Sequence, residues 1–165
     1  MTDSTSKRET VEDSVVISSL KEALKRSTFH VEMRPDKIIV YQFDNLSREV
    51  LIQWVEYIRT HNDTMKPPVR ILYDFRESGP PSRFLMDRLP DIMADLEIAE
   101  DIRSAFLVDD SLTGHFTRNA LAKLPNNIGP TRSFLNLTPA LKWLNEGLEG
   151  VDEDDAEKDE VDAAD

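Results

Sequence analysis

Residues 37–75, KIIVYQFDNLSREVLIQWVEYIRTHNDTMKPPVRILYDF, decide the fold. They open with a β-rich run, Lys37 to Phe43, in which Ile38, Val40 and Gln42 point to one face and Ile39, Tyr41 and Phe43 to the other. A strand apolar on both faces is a buried one. The spacing of the apolar residues then changes from alternation to helical. Ser47 is a good N-cap, and Leu46 ahead of it can staple to Leu51. Val50, Leu51, Trp54, Val55 and Ile58 follow at helical spacing through about His61. Lys66-Pro67-Pro68 ends the connection, and Val69 to Phe75 is a second apolar run with Asp74, an acid expected to be exposed, near its end. Strand, helix, strand means a crossover, which is right-handed and leaves the two strands parallel.

Working outward, the same alternation continues on both sides. Phe29 to Met33 is a further β-rich run, separated from Lys37 by Arg34-Pro35-Asp36, which is turn chemistry for a hairpin. After the unit, Arg76 to Ser82 is a loop with Gly79, Pro80 and Pro81. Ser82 can cap a helix bearing Phe84, Leu85, Leu89, Ile92, Met93 and Leu96. Pro90 inside that pattern breaks or bends it, since an interior proline costs about 3 kcal/mol. Arg103 to Val108 is a fourth strand, followed by the capping string Asp109-Asp110-Ser111 and a helix with Leu112, Phe116, Ala120 and Leu124 in one row. Arg132 to Leu135 is a short fifth strand. Thr138-Pro139 marks a helix start whose buried side is Leu141, Leu144 and Leu148, with Trp143 at its edge. The fold expected is α/β, a mixed sheet of about five strands flanked by about four helices, with a β-hairpin at its start.

Composition bounds what this domain can do. The 165 residues suit one domain of about 150 residues with extensions. The formal charge of −12 is concentrated at the ends: residues 149–165 carry ten acids and one lysine, and residues 1–13 four acids and two bases. The stretch between is nearly neutral, which argues against the basic footprint of a nucleic-acid binder. Residues 1–14 and 149–165 read as disordered tails, the second a solvated acidic one. The domain itself reads as 28–148. Residues 15–27 contain an amphipathic helix, VVISSLKEALKR over 15–26, with Val16, Ile17, Leu20, Ala23 and Leu24 on one face. It suits either a lid on the domain or a contact between copies, hence a homo-oligomer through residues 15–26. There is no cysteine, which removes disulfides and thiolate chemistry. No apolar run approaches the roughly 18 residues of a membrane span, and no signal-peptide order is present, so a soluble cytoplasmic protein without membrane insertion is expected.

Several strings resemble the STAS superfamily, more narrowly the bacterial STAS/SEC14-like group related to the sporulation anti-sigma-factor antagonist. They are DKIIVYQFDNLSREVL (36–51), RILYDFR (70–76), SAFLVDDSLTGHF (104–116) and RSFLNLTPALKWL (132–144), within a resemblance that covers about residues 29–148. The resemblance implies a STAS-like sheet and a non-enzymatic, regulatory domain that docks a partner protein. The SEC14-like half of the label implies an alternative, a carrier of a lipid or small apolar ligand. The antagonists carry a phosphorylatable serine in an Asp-Ser-Ser-Gly-type string after the third strand. The corresponding place here reads Asp74-Phe75-Arg76-Glu77-Ser78-Gly79-Pro80-Pro81-Ser82 and does not reproduce it.

No catalytic constellation, cofactor site or metal site is legible. Gly-x-Gly-x-x-Gly, Walker-type and Gly-x-Ser-x-Gly strings are absent, and His30, His61 and His115 have no metal-ligand spacing. Ser82 and Ser78 are the candidate phosphoacceptors, Ser82 because a phosphate there would meet a helix N-terminus with Arg76 and Arg83 nearby. Helix capping is the favoured reading of Ser82, and a turn that of Ser78. The candidate interaction surface comprises Arg76, Glu77, Ser78, Ser82, Arg83 and Asp110. Trp54 and Trp143 read as packing anchors, with Trp143 a protein-contact candidate if exposed.

Overall fold

The computed structural model describes residues 29–98 and 100–147. The expectations for residues 1–14, 15–27 and 149–165 lie outside the described residues. Strands β1 (Phe29–Met33) and β2 (Ile39–Phe43) are followed by α1 (Arg48–His61), β3 (Val69–Asp74), α2 (Arg83–Asp87) and α3 (Leu89–Ala94). Then come β4 (Ile102–Leu107), α4 (Leu112–Leu121), β5 (Thr131–Phe134) and α5 (Leu137–Asn145). The five strands lie in the order β1-β2-β3-β4-β5. β1 pairs antiparallel with β2, and β2 through β5 are parallel. This is the α/β mixed sheet with a leading hairpin that the alternation of periods implied.

The hairpin turns where expected. The amide of Lys37 donates to Arg34 O at 3.0 Å, that of Arg34 to Ile38 O at 2.9 Å, and Lys37 takes the left-handed φ of 60° that closes a three-residue loop. Ser47 caps α1 by accepting from the Val50 amide at 3.4 Å, and Leu46 and Leu51 are both buried. Pro90 divides its segment into α2 and α3, standing in the first turn of the second, where its missing N–H costs nothing.

Each new parallel strand is added on the same side of the last, so the crossover helices all fall on one face. There the ring of Tyr41 stacks on Tyr73 at 5.2 Å and Phe43 on Phe75 at 5.0 Å, while Trp54 meets Tyr73 edge-on at 5.5 Å. Residues of α1 to α4, among them Val50, Leu85, Met93 and Leu121, close over these rings. The other face holds Ile38, Leu72, Ala105 and Leu107 beneath Ala140 and Leu144 of α5. The carbonyls at the end of α5 are held by Arg103, whose Nη1 donates to Trp143 O at 2.8 Å and Glu146 O at 2.9 Å.

Three expectations need correction. α5 begins at Leu137 after Asn136, two residues earlier than the Thr138-Pro139 signal placed it. Proline is tolerated through the first turn because those amides have no partner inside the helix. The strand β5 ends at Phe134, not Leu135. Asp74 is 9% exposed, not an open acid. Of the row Leu112, Phe116, Ala120 and Leu124, Ala120 is buried and Leu124 packs against the core, while Leu112 and Phe116 are exposed; α4 buries Gly114, Thr117, Ala120 and Leu121.

Candidate functional site

The parallel strands all point their carboxyl ends to one edge, where open α/β sheets place their working loops. The ladder extends one residue past the strands here. Phe75 N donates to Leu107 O at 2.9 Å and Val108 N to Phe134 O at 3.0 Å, which sets the 76–82 loop beside the 109–111 turn.

Asp74 ends β3 with its carboxylate turned back onto the loop. Its Oδ1 accepts from Arg76 N at 3.1 Å and Arg76 Nε at 3.0 Å, and its Oδ2 from Arg76 Nη2 at 2.7 Å. A carboxylate gripped by both arms of the guanidinium is the strong, oriented form of the pair. The hydrogen bond to Asp74 pushes the Arg76 pKa up, so Arg76 stays cationic. Ser78 is 2% exposed, and its hydroxyl donates to Phe75 O at 2.8 Å. A modifying enzyme would reach it only after the loop opens. Ser82 is half-buried and caps α2, its Oγ accepting from Leu85 N at 3.3 Å. Glu77 and Arg83 are exposed on either side.

Across the ladder, Ser111 is the N-cap of α4. Its Oγ accepts from Gly114 N at 3.1 Å and donates to Asp109 Oδ1 at 2.6 Å. Asp109 Oδ1 also accepts from Ser111 N at 3.3 Å. The Ser111 hydroxyl, above all, holds the Asp109 carboxyl below its ordinary range. Asp110 is exposed with Oδ1 at 3.4 Å from His115 Nε2, while Arg118 Nη2 donates to His115 Nδ1 at 2.8 Å. A guanidinium can only donate, so Nδ1 is the acceptor and Nε2 carries the hydrogen that faces Asp110.

The structure therefore brings Arg76, Glu77, Ser82, Arg83 and Asp110 to one edge and withdraws Ser78 from its surface. It adds apolar residues that the sequence reading did not place at this edge. Leu112 is 72% and Phe116 53% exposed, one turn apart on α4, and Met86 on α2 and Leu135 after β5 are also exposed. The available signal was the spacing of small residues: Gly114, Thr117 and Ala120 mark the buried side of α4, while Leu112 and Phe116 are exposed. Trp143 is half-buried, covered by the Arg103 guanidinium at 5.2 Å from its ring and by Phe134 at 5.7 Å.

The histidines are apart. His30 faces Asp44 at 3.3 Å at the β1 edge, and His61 stacks on Tyr57 at 4.0 Å. Among the described residues no group of three or more His, Asp or Glu is placed to hold a metal ion, and no described helix is long and apolar enough to cross a membrane. Between the sheet and α1 and α3, at the end remote from this edge, lies a cavity of about 20 Å³ lined by Trp54, Ile58, Met65, Ser104, Leu124 and Ile128. No protein-family model, curated protein or solved structure matches the chain.

Proposed function

We propose that this chain is a STAS-like regulatory domain that docks a partner protein, without turnover, through the edge formed by residues 76–84 and the first turns of α4. The reading places it in the cytoplasm of a bacterial cell. It rests on the exposure of Leu112 and Phe116 beside the ordered Asp74–Arg76 pair. Two large apolar side chains one helical turn apart, at the same carboxyl edge of the sheet as the exposed Arg76, Glu77, Arg83 and Asp110, are the composition of a small interface, apolar with charges nearby. A carrier of a lipid would need a pocket of about 300 Å³ or more. The cavity between the sheet and α1 and α3, of about 20 Å³, is of the size that holds a single water.

The test is affinity capture of the full chain from its native cells, with native mass spectrometry of bait and eluate. Three forms are compared: wild type, Phe116→Asp, and Lys66→Asp, whose exposed side chain stands in the α1–β3 connection at the other end of the strands. Wild type and Lys66→Asp retain the same stoichiometric partner, and Phe116→Asp weakens it about 30-fold, the loss of about 2 kcal/mol expected of an interface anchor. Equal capture by all three removes this edge as the docking surface. A bait carrying a small apolar molecule and no protein replaces docking with the carrier function.

A further inference from the structure

One edge of the sheet is β1, and among the described residues no strand lies beyond it. The hairpin orients its backbone. Arg34 N donates to Ile38 O at 2.9 Å, which makes these two a hydrogen-bonded pair. In an antiparallel ladder such pairs alternate, and the register places Met33 opposite Ile39, Glu32 opposite Val40 and Val31 opposite Tyr41. Glu32 and His30 therefore turn their amides and carbonyls toward β2, while Val31 and Met33 turn theirs outward. The side chains of Val31 and Met33 are also exposed, at 37% and 65%.

Natural sheets guard such an edge with lysine, proline or a bulge. β1, FHVEM, has no lysine or proline, and its register with β2 runs without a bulge. Its ionisable side chains are His30 and Glu32, both exposed, one on each side of Val31. A second β1 laid antiparallel beside the first, with Val31 against Val31, brings His30 opposite Glu32 of the second copy and Glu32 opposite its His30. Met33 comes opposite Phe29, a sulfur–aromatic pairing. The two Val31 residues exchange hydrogen bonds through their outward groups. The His30–Glu32 pairs then fall at the non-hydrogen-bonded positions, where Cα atoms approach to about 4.5 Å and side chains are closest. His30 Nε2 lies 3.3 Å from Asp44 Oδ1, which leaves Nδ1 for the carboxylate of the second copy. Shifting the second strand by two residues keeps the outward groups paired, but sets His30 against His30 or Glu32 against Glu32. Neither shift leaves an unlike pair, so the charges select the register centred on Val31.

We infer that β1 pairs with β1 of a second copy of this chain, antiparallel about Val31, joining the two sheets across a two-fold axis. The occupant is a second copy because the strand is complementary to itself in charge and in apolar contact. Such a contact is isologous and closes at two chains, whereas β1 on the β5 edge of another copy would be heterologous and would continue into a filament. The inference is independent of the docking edge proposed above, which lies at the carboxyl ends of β3 and β4.

The test is sedimentation velocity of the full chain from about 10 µM to about 1 mM, because five residues a side make a contact at the weak end of interfaces. Wild type is compared with Glu32→Lys and His30→Glu, both at exposed positions, with far-UV circular dichroism to verify the fold of each. Wild type passes from monomer to dimer over this range. Each variant alone associates at least about fivefold more weakly, since its opposed pairs are no longer unlike. An equimolar mixture of the two recovers wild-type association, because each opposed pair between them is unlike again. Hydrogen exchange reads the same contact in the unaltered chain: the Val31 amide slows at least about threefold between the two ends of the concentration range. A chain that stays monomeric throughout overturns the pairing. Dimerisation that the variants leave unchanged, or that their mixture fails to restore, puts the contact elsewhere and overturns it too. So does a dimer whose Val31 amide exchanges at the rate of the monomer.

Discussion

Replacing Gly114 by alanine reverses the usual sign of that substitution. In a helix interior, glycine to alanine gains about 1 kcal/mol. Gly114 is the third residue of α4, and a Cβ there would collide with the carbonyl oxygen and Oδ1 of Asp109. Neither atom yields freely. The backbone next to Asp109 is held by Val108 N donating to Phe134 O at 3.0 Å, and Oδ1 binds the Ser111 hydroxyl at 2.6 Å. Overpacking costs about 1–3 kcal/mol. Pushing Asp109 and Ser111 apart from Gly114 also forfeits the cap, about 1 kcal/mol. Set against the propensity gain, Gly114→Ala destabilises by about 1–3 kcal/mol. For a domain of this size that lowers the Tm by about 4 °C per kcal/mol. Thermal and urea unfolding followed by far-UV circular dichroism measures it, with Ser111→Ala as the reference for loss of the cap alone. A midpoint equal to or above wild type refutes the close seating of α4 on Asp109.

Ser111→Ala itself costs about 1 kcal/mol near neutral pH. Because the Ser111 hydroxyl lowers the Asp109 pKa from its ordinary 3.8, that contribution is present above 3.8 and lost as pH falls through the lowered value. The variant therefore shows a shallower loss of stability in acid than wild type, read from urea midpoints across that range; parallel curves refute it. On the same helix, Leu121→Ala costs about 2–5 kcal/mol because Leu121 is buried, whereas Leu112→Ala changes stability by about 0.5 kcal/mol or less. Equal urea-midpoint shifts for the two would place the wrong side of α4 against the sheet. Burial, then a neighbouring tyrosine, raises the phenols of Tyr41 and Tyr73 above their ordinary 10.0. Their neutral-state stabilisation holds below 10.0 and is lost as pH rises beyond it, since the unfolded chain ionises first. In an alkaline titration, phenolate absorbance from these two appears only together with unfolding, and a smooth rise ahead of the circular-dichroism change counts against their burial.

The elements were legible because each rests on a local rule. Lys37 to Phe43 alternates, Val50 to Ile58 recurs at helical spacing, Ser47 and Ser82 cap, and Pro90 divides α2 from α3; each depends on covalent geometry within a few residues. The misreadings share a cause. Thr138-Pro139 is a sound helix start, but Asn136 preceded it because the first turn accepts proline anywhere along it. Leu112 and Phe116 form a regular apolar row, yet α4 buries Gly114, Thr117 and Ala120 instead. Composition favours the larger residues, while a close approach, such as that of Gly114 to the Asp109 backbone, favours the smaller ones.

The candidate edge was legible in its loop and not in its chemistry. Arg76, Glu77, Ser82, Arg83 and Asp110 could be placed near a strand end from order alone. That Arg76 turns back on Asp74 and Ser78 on Phe75 is decided within a few residues by a loop geometry that periodicity does not encode, while the outward facing of Leu112 and Phe116 depends on how α4 packs.

By itself, then, the sequence determined the alternation of strand and helix, the parallel crossovers and the hairpin, because periodicity, capping and the handedness of the crossover are local. Only the tertiary structure decided which apolar side chains reach the core and which remain at the surface. That choice is made by packing, within a turn where Gly114 meets the Asp109 backbone and between strands where Tyr41 meets Tyr73, and burial goes to the residues that fit the space.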